Sequence, residues 1–265
     1  MAQPWFIWNG RDSRDMGVIV ESYPPMVYPA ERVETIAVPG RAGFLTRTEG
    51  SAVYDGYLKT IGIANKRSAD PRAIAAWLRG SGELILGSEP DFVYFARVIK
   101  EASLDRAMPN GYHGSVAFMV QPFKGKCPPE GDVTWTNGTS APSIYNPGDV
   151  PAKPKIRVQA TISDNVHGMN FDLSVGKAAA SGSNNVPYVR VYLYDRPELE
   201  GFVFDADTRR ITSLDGTEDL TSYGTFYRTP NGELWMPPHQ TSVVAVIVTN
   251  ATAASMTITP RWRWL

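Results

Sequence analysis

Apolar and polar residues alternate with a period of two along several stretches of the chain, the pattern of strands with one dry face and one wet face. In KIRVQATI, Ile156, Val158, Ala160 and Ile162 share one side, and Lys155, Arg157, Gln159 and Thr161 the other. In MNFDLSV, Met169, Phe171, Leu173 and Val175 oppose Asn170, Asp172 and Ser174. Antiparallel sheets packed on one side read this way. Further strands are predicted at 188–194, 243–249 and 255–264. The last puts Met256, Ile258, Trp262 and Trp264 on one face, and its Pro260, which cannot donate to a ladder, predicts an edge strand or a bulge. The first half carries strand patterns at 5–8, 16–20, 33–38, 52–63, 92–99 and 112–120.

One helix stands out, in DPRAIAAWLRG. Asp70 suits the N-cap, Pro71 the first helical position and Gly80 the residue just past the end. Ile74, Trp77 and Leu78 form an apolar stripe at helical spacing that predicts packing on a sheet. About three turns of helix do not persist alone, so tertiary packing must hold them. In QPFKGKCPPEGD, 121–132, Pro and Gly cluster without apolar periodicity, which predicts the boundary between two domains, 1–126 and 127–265. The expected class is mostly β: an α+β domain, sandwich-like with one short helix, followed by a β-sandwich.

Composition narrows the function. The 265 residues include 43% hydrophobic and 20% charged side chains, a globular balance needing no disulfide or metal staple. The net charge of −1 provides no concentrated basic surface, so no nucleic-acid partner is expected. No apolar run approaches the ~20 residues of a membrane helix, and the start MAQPWFIWNGRD lacks the basic region of a signal peptide, so no membrane partner is expected either. The single cysteine, Cys127, excludes an internal disulfide and a thiolate metal cage.

Little in the sequence points to catalysis. His113, His167 and His239 stand in no zinc-binding spacing, and no nucleophile elbow, Walker loop or dinucleotide fingerprint occurs. Asp205, Asp207, Asp215, Glu218 and Asp219 cluster in FDADTRRITSLDGTEDL, but their spacing matches no EF-hand, and they read as two turns flanking the short strand RRITSL. No catalytic residue, metal or cofactor is expected. The 7 Trp, 12 Tyr and 10 Phe suit core and interfaces; exposed, they would suit stacking on sugar rings. The sequons at Asn137–Thr139 and Asn250–Thr252 read as loop residues.

The N-terminal half also carries an ordered set of motifs: WNGRDSRDMGVIV, YPAERVETIAVPGRAGFL and AIAAWLRGSGELILGSEPDFVYFARV. Their order and spacing over about 100 residues resemble the N-terminal domain of siphophage distal tail proteins. NPGDVPAKPKIRV, FVFDADTRRITSLDG and the closing ITPRWRW are similar to the galectin-like sandwich that follows it in that family. The resemblance implies a structural protein of the virion, made in the host bacterial cytoplasm. Its N-terminal domains would form a homo-hexameric ring joining the tail tube protein to the tail-associated hub or fibre protein. Its C-terminal domains would point outward and, in some phages, hold receptor-binding proteins. VPGRAG, with Pro39, Gly40, Arg41 and Gly43, would be a loop of the N-terminal domain, with Arg41 an interfacial anchor through its planar fork. Two other readings compete: a carbohydrate-binding module on the host wall, and a hydrolase with an unrecognised carboxylate pair.

Overall fold

The structure, a computed structural model, describes residues 3–37, 39–40, 42–48, 53–99, 103–108, 111–162, 169–177, 188–193, 196, 198–227, 234–249 and 251–265. The chain divides into two compact units, Met1–Pro128 and Pro129–Trp264.

The first unit contains β1 (Phe6–Trp8), β2 (Arg11–Asp12), β3 (Val18–Ser22), β4 (Val33–Ala37), β5 (Phe44–Thr48), β6 (Tyr57–Asn65), α1 (Pro71–Trp77), β7 (Ser81–Leu86), β8 (Glu89–Val98), β9 (Ser103–Met108) and β10 (Gly111–Lys126). Eight strands form one antiparallel sheet in the order β2-β1-β7-β8-β10-β6-β3, with β9 also paired to β10. Its dry face gathers Phe6, Trp8, Val20, Ile61, Ile63, Leu84, Leu86, Tyr94, Phe118 and Val120. Helix α1 covers this face through Ile74 and Leu78, both buried. Trp77 stacks on Phe6 with ring centroids 5.5 Å apart and donates its indole N–H to Trp8 O at 3.1 Å. Asp70 caps the helix by accepting from Arg72 N at 2.9 Å, and Pro71 opens it. The helix is shorter than its sequence pattern: it ends at Trp77, Leu78 is the C-cap, and Gly80 turns the chain at φ +78 toward β7.

The units divide after Pro128, inside the stretch 121–132 read as the boundary, but residues 121–126 belong to a strand of the first unit. Strand β10 runs on to Lys126, with Lys124, Gly125 and Lys126 opposite Tyr94, Val93 and Phe92 of β8. Pro122 sits where the register shifts between Val120 and Lys124, a place where a missing N–H breaks no ladder.

The second unit contains β11 (Val133–Thr136), β12 (Ser143–Tyr145), β13 (Lys155–Ile162), β14 (Met169–Lys177), β15 (Tyr188–Leu193), β16 (Gly201–Asp205), β17 (Arg210–Thr212), β18 (Gly224–Tyr227), β19 (Thr241–Thr249) and β20 (Ala251–Thr259). They form two five-stranded antiparallel sheets, β11-β20-β13-β16-β17 and β12-β19-β14-β15-β18. The alternation in the sequence becomes the core of a sandwich. Ile156, Val158, Phe202, Phe204, Met256 and Ile258 come from one sheet, and Phe171, Leu173, Val189, Val191 and Val244 from the other. Phe171 meets Phe202 edge-to-face at 5.1 Å. Each of these side chains contributes about 1.5–3 kcal/mol by leaving water.

Strand β20 departs from the sequence reading. It lies between β11 and β13 rather than at an edge and stops at Thr259, so Pro260 follows the ladder instead of interrupting it. The burial alternation nonetheless continues through Pro260 and Trp262, while Trp264 is only half-buried. The fold is mostly β, with one short helix on an eight-stranded sheet followed by a β-sandwich.

Candidate assembly surface

In the first unit, β4 and β5 form a two-stranded ribbon of their own, paired from Val33↔Thr48 to Ala37↔Phe44. Its base is pinned by Arg32 N to Val53 O at 2.6 Å, Asp55 N to Ala30 O at 2.9 Å, and the Arg32–Asp55 ion pair. Val33, Ile36 and Leu45 are 38%, 40% and 41% exposed. Val33 lies on one face of the ribbon, and the cross-strand pair Ile36–Leu45 on the other. Every residue of β4 is exposed. A two-stranded ribbon is marginal in water by itself, and one with apolar side chains on both faces gains stability by being covered. Just before it, Met26 and Tyr28 are 69% and 67% exposed.

The predicted interface residues Pro39, Gly40, Arg41 and Gly43 fall in the connection between these two strands. Pro39, Gly40 and Gly43 are exposed. Gly40 and Gly43 adopt φ +79 and +86, and a Cβ on either would meet nothing within 4 Å, so backbone conformation and not space calls for glycine. Arg41 and Val38 lie outside the described residues.

A second apolar area lies on the wet face of the large sheet. Leu58 of β6 pairs with Met119 of β10; Arg97 of β8 stands opposite Met119, and Phe95 lies two residues along β8 on the same face. Leu58, Met119 and Phe95 are 45%, 38% and 47% exposed. Period-two reading locates this face, but leaves open that its polar side carries apolar residues on three adjacent strands.

The dry face of the same sheet carries charge. Lys59 points inward from β6 and is 2% exposed. Its ammonium lies 4.7 Å from the centre of the Tyr94 ring and 5.6 Å from that of Tyr57. Beside it, Lys124 pairs with Glu89 at 2.9 Å, and the Tyr94 hydroxyl donates to the other Glu89 oxygen. Burial raises the Glu89 carboxyl, but the hydrogen bonds from Tyr94 and Lys124 outweigh it and hold the group below its usual range. Burial pushes Tyr57 up to about 12 and lowers Lys59. Lys124 thus pairs with the carboxylate, and Lys59 feels the same charge without direct contact, inside aromatic walls.

The carboxylates that clustered in sequence are dispersed among separate partners. Asp205 accepts both arms of Arg261 at 2.9 and 3.0 Å. Asp207 pairs with Arg263, Asp215 closes its own turn with Ser213 and Thr217, Glu218 accepts two bonds from Arg196, and Asp219 accepts from Thr221 N. The segment forms the β16–β17 hairpin and the turn after it, as its Asp-rich ends predict. Among the described residues, no group of three or more His, Cys, Asp and Glu side chains is placed to hold a metal ion. His113 is exposed on β10, His239 is exposed 3.7 Å from Asp149, and His167 lies outside the described residues. Among the described residues, no helix is long and apolar enough to cross a membrane.

No family model matches the sequence, and no curated protein is similar to it. Among solved structures, the fold is similar to the crystal structure of SPP1 Dit, the gp 19.1 protein, described as a paradigm of the hub adsorption apparatus in phages that infect Gram-positive bacteria. The two chains superpose with a TM-score of 0.67 at 14% identity, and the match covers 100% of each, so the likeness extends across both units and is one of fold.

Proposed function

We propose that the protein is a structural subunit of a phage tail tip, a distal tail protein rather than an enzyme. The observation that carries this reading is the full-length likeness to SPP1 Dit, a phage adsorption-hub protein. In this reading, residues 1–126 build a homo-hexameric ring between the tail tube protein and the tail-associated hub or fibre protein. Residues 127–265 form a peripheral, galectin-like sandwich that serves as a platform for receptor-binding proteins. The protein is then a virion component made in the host cytoplasm. The exposed β4–β5 ribbon and the Leu58, Met119 and Phe95 side chains favour assembly, because each leaves apolar surface in contact with water. Pro39, Gly40, Arg41 and Gly43 would carry the ribbon connection into a neighbouring subunit. Repeated heterologous contacts close into rings when their rotation allows.

Light scattering on the purified chain tests the reading. A hexamer of 29.1 kDa chains weighs about 175 kDa. A monomer at every concentration, including with the tail tube and hub proteins added, would overturn it.

A further inference from the structure

The outer face of the second unit carries a cluster of charged and aromatic side chains. Asp172 of β14 and Arg190 of β15 stand opposite each other in register. Arg190 donates Nε–H to Oδ1 at 2.5 Å and Nη2–H to Oδ2 at 2.6 Å, a two-pronged pair that fixes both side chains. Both remain open to solvent, at 36% and 27% side-chain exposure. Three tyrosines surround the guanidinium. Its carbon is 5.7 Å from the ring centres of Tyr188 and Tyr227 and 6.0 Å from that of Tyr192. Tyr188 and Tyr227 stack across β15 and β18 with centroids 4.7 Å apart and planes 12° from parallel. Among the described residues, β18 is the last strand of its sheet, and no further strand lies beyond Tyr227. Asn170, opposite Tyr192 on β14, adds a covered Oδ1 that has no donor among the described residues.

Burial does not explain this arrangement. Tyrosines are amphipathic and end up inside or at contacts, yet these three ring a solvent-facing ion pair. The chemistry on offer is specific. A guanidinium has five N–H donors and spends two on Asp172, while each carboxylate oxygen keeps lone pairs free. Fixed donors and acceptors thus stand side by side next to aromatic faces. Anions are repelled by Asp172 and cations by Arg190. What remains is a neutral molecule whose groups both donate and accept, and which has a C–H face to lie on a ring. We infer that Tyr188, Arg190, Tyr192, Tyr227 and Asp172 form a binding site for a neutral sugar. Adjacent hydroxyls of a pyranose would bridge Arg190 and Asp172, and its weakly positive C–H face would rest on the electron-rich face of tyrosine. The inference is independent of ring formation.

Saturation-transfer NMR on the full chain tests it, with maltose, cellobiose, lactose and chitobiose as probes. At least one is expected to receive magnetisation, most strongly at the C–H protons of one ring face. Tyr227→Ala and Arg190→Lys are each expected to weaken its binding at least about tenfold, the loss of a stacking face or of a charged two-pronged contact. Tyr192→Phe, which removes only a hydroxyl, should weaken it less while leaving thermal unfolding unchanged. If Tyr227→Ala disturbs folding, Arg190→Lys and Tyr192→Phe decide the matter. Transfer to none of these disaccharides, or binding equal in wild type and all three variants, overturns the inference. So does a purified tail protein that covers the patch while the sugars leave it untouched, which would make it a protein-docking surface.

Discussion

Replacing Glu89 by Gln isolates the contribution of the charged cluster inside the first unit. The carboxylate sits 2.9 Å from the Lys124 ammonium and accepts from Tyr94, with Lys59 close by and 2% exposed. The amide keeps the shape and one acceptor but leaves two ammoniums with no counter-charge among aromatic walls. Removing one member of a buried pair costs about 3–5 kcal/mol, because the remaining charge stays desolvated. The Lys124 and Glu89 side chains keep 13% and 17% of their exposure, so water screens part of the effect and the lower end, about 3 kcal/mol, is expected. In a unit of about 128 residues that lowers the melting temperature by roughly 10 °C. Calorimetry and urea unfolding of the full chain would show it as a shift of one transition, with the other unmoved. The pH dependence has a definite sign. The folded carboxyl titrates below its ordinary value of 4.5, so its contribution is complete above that value and is lost as the pH falls through the folded one. The gap between wild type and Glu89→Gln should therefore close in acid. Adding Lys124→Met to Glu89→Gln should recover part of the loss by removing one orphaned charge. A single variant within about 1 kcal/mol of wild type at neutral pH, or a gap that does not change with pH, would refute the reasoning.

Trp77→Ala removes the stack on Phe6 and leaves the Trp8 carbonyl without its donor; it should cost about 3 kcal/mol of stability in thermal unfolding. Leu58→Glu and Met119→Glu place charges on the wet face of the large sheet, so light scattering should show loss of the proposed oligomer while stability changes by no more than about 1 kcal/mol. Chelation should change neither circular dichroism nor assembly state, since the clustered carboxylates have separate protein partners; a folded state that needs a tightly held metal would contradict this. Residues 1–128 and 129–265 expressed separately should each unfold cooperatively, because each unit has its own core.

The strands of the second unit were legible in the sequence because a strand with one wet face writes its burial into the chain at period two. Ile156, Val158 and Ala160, and Met169, Phe171, Leu173 and Val175, are all buried as that pattern requires. The helix was legible through Asp70, Pro71 and the Ile74–Leu78 stripe, since capping and amphipathicity are local properties. Local reasoning misread 121–126. Pro122 and Gly125 look like turn residues, yet β8 supplies a partner and the register shift absorbs the proline. The alternation of Tyr188, Arg190 and Tyr192 was visible too, but only the pairing of β15 with β14 and β18 brings Asp172 and Tyr227 to them. Lys59 occupies a core-facing place in its strand, and a lysine there has no meaning until Glu89 and Lys124 arrive from neighbouring strands. The β pattern at 33–38 was equally plain, whereas the separation of β4 and β5 from the large sheet, with apolar side chains left uncovered, was not. Periodicity and capping depend on neighbours in sequence, and those the sequence determines. Ion pairs, stacked rings and exposed faces depend on which strands lie side by side, and only the tertiary structure decides that.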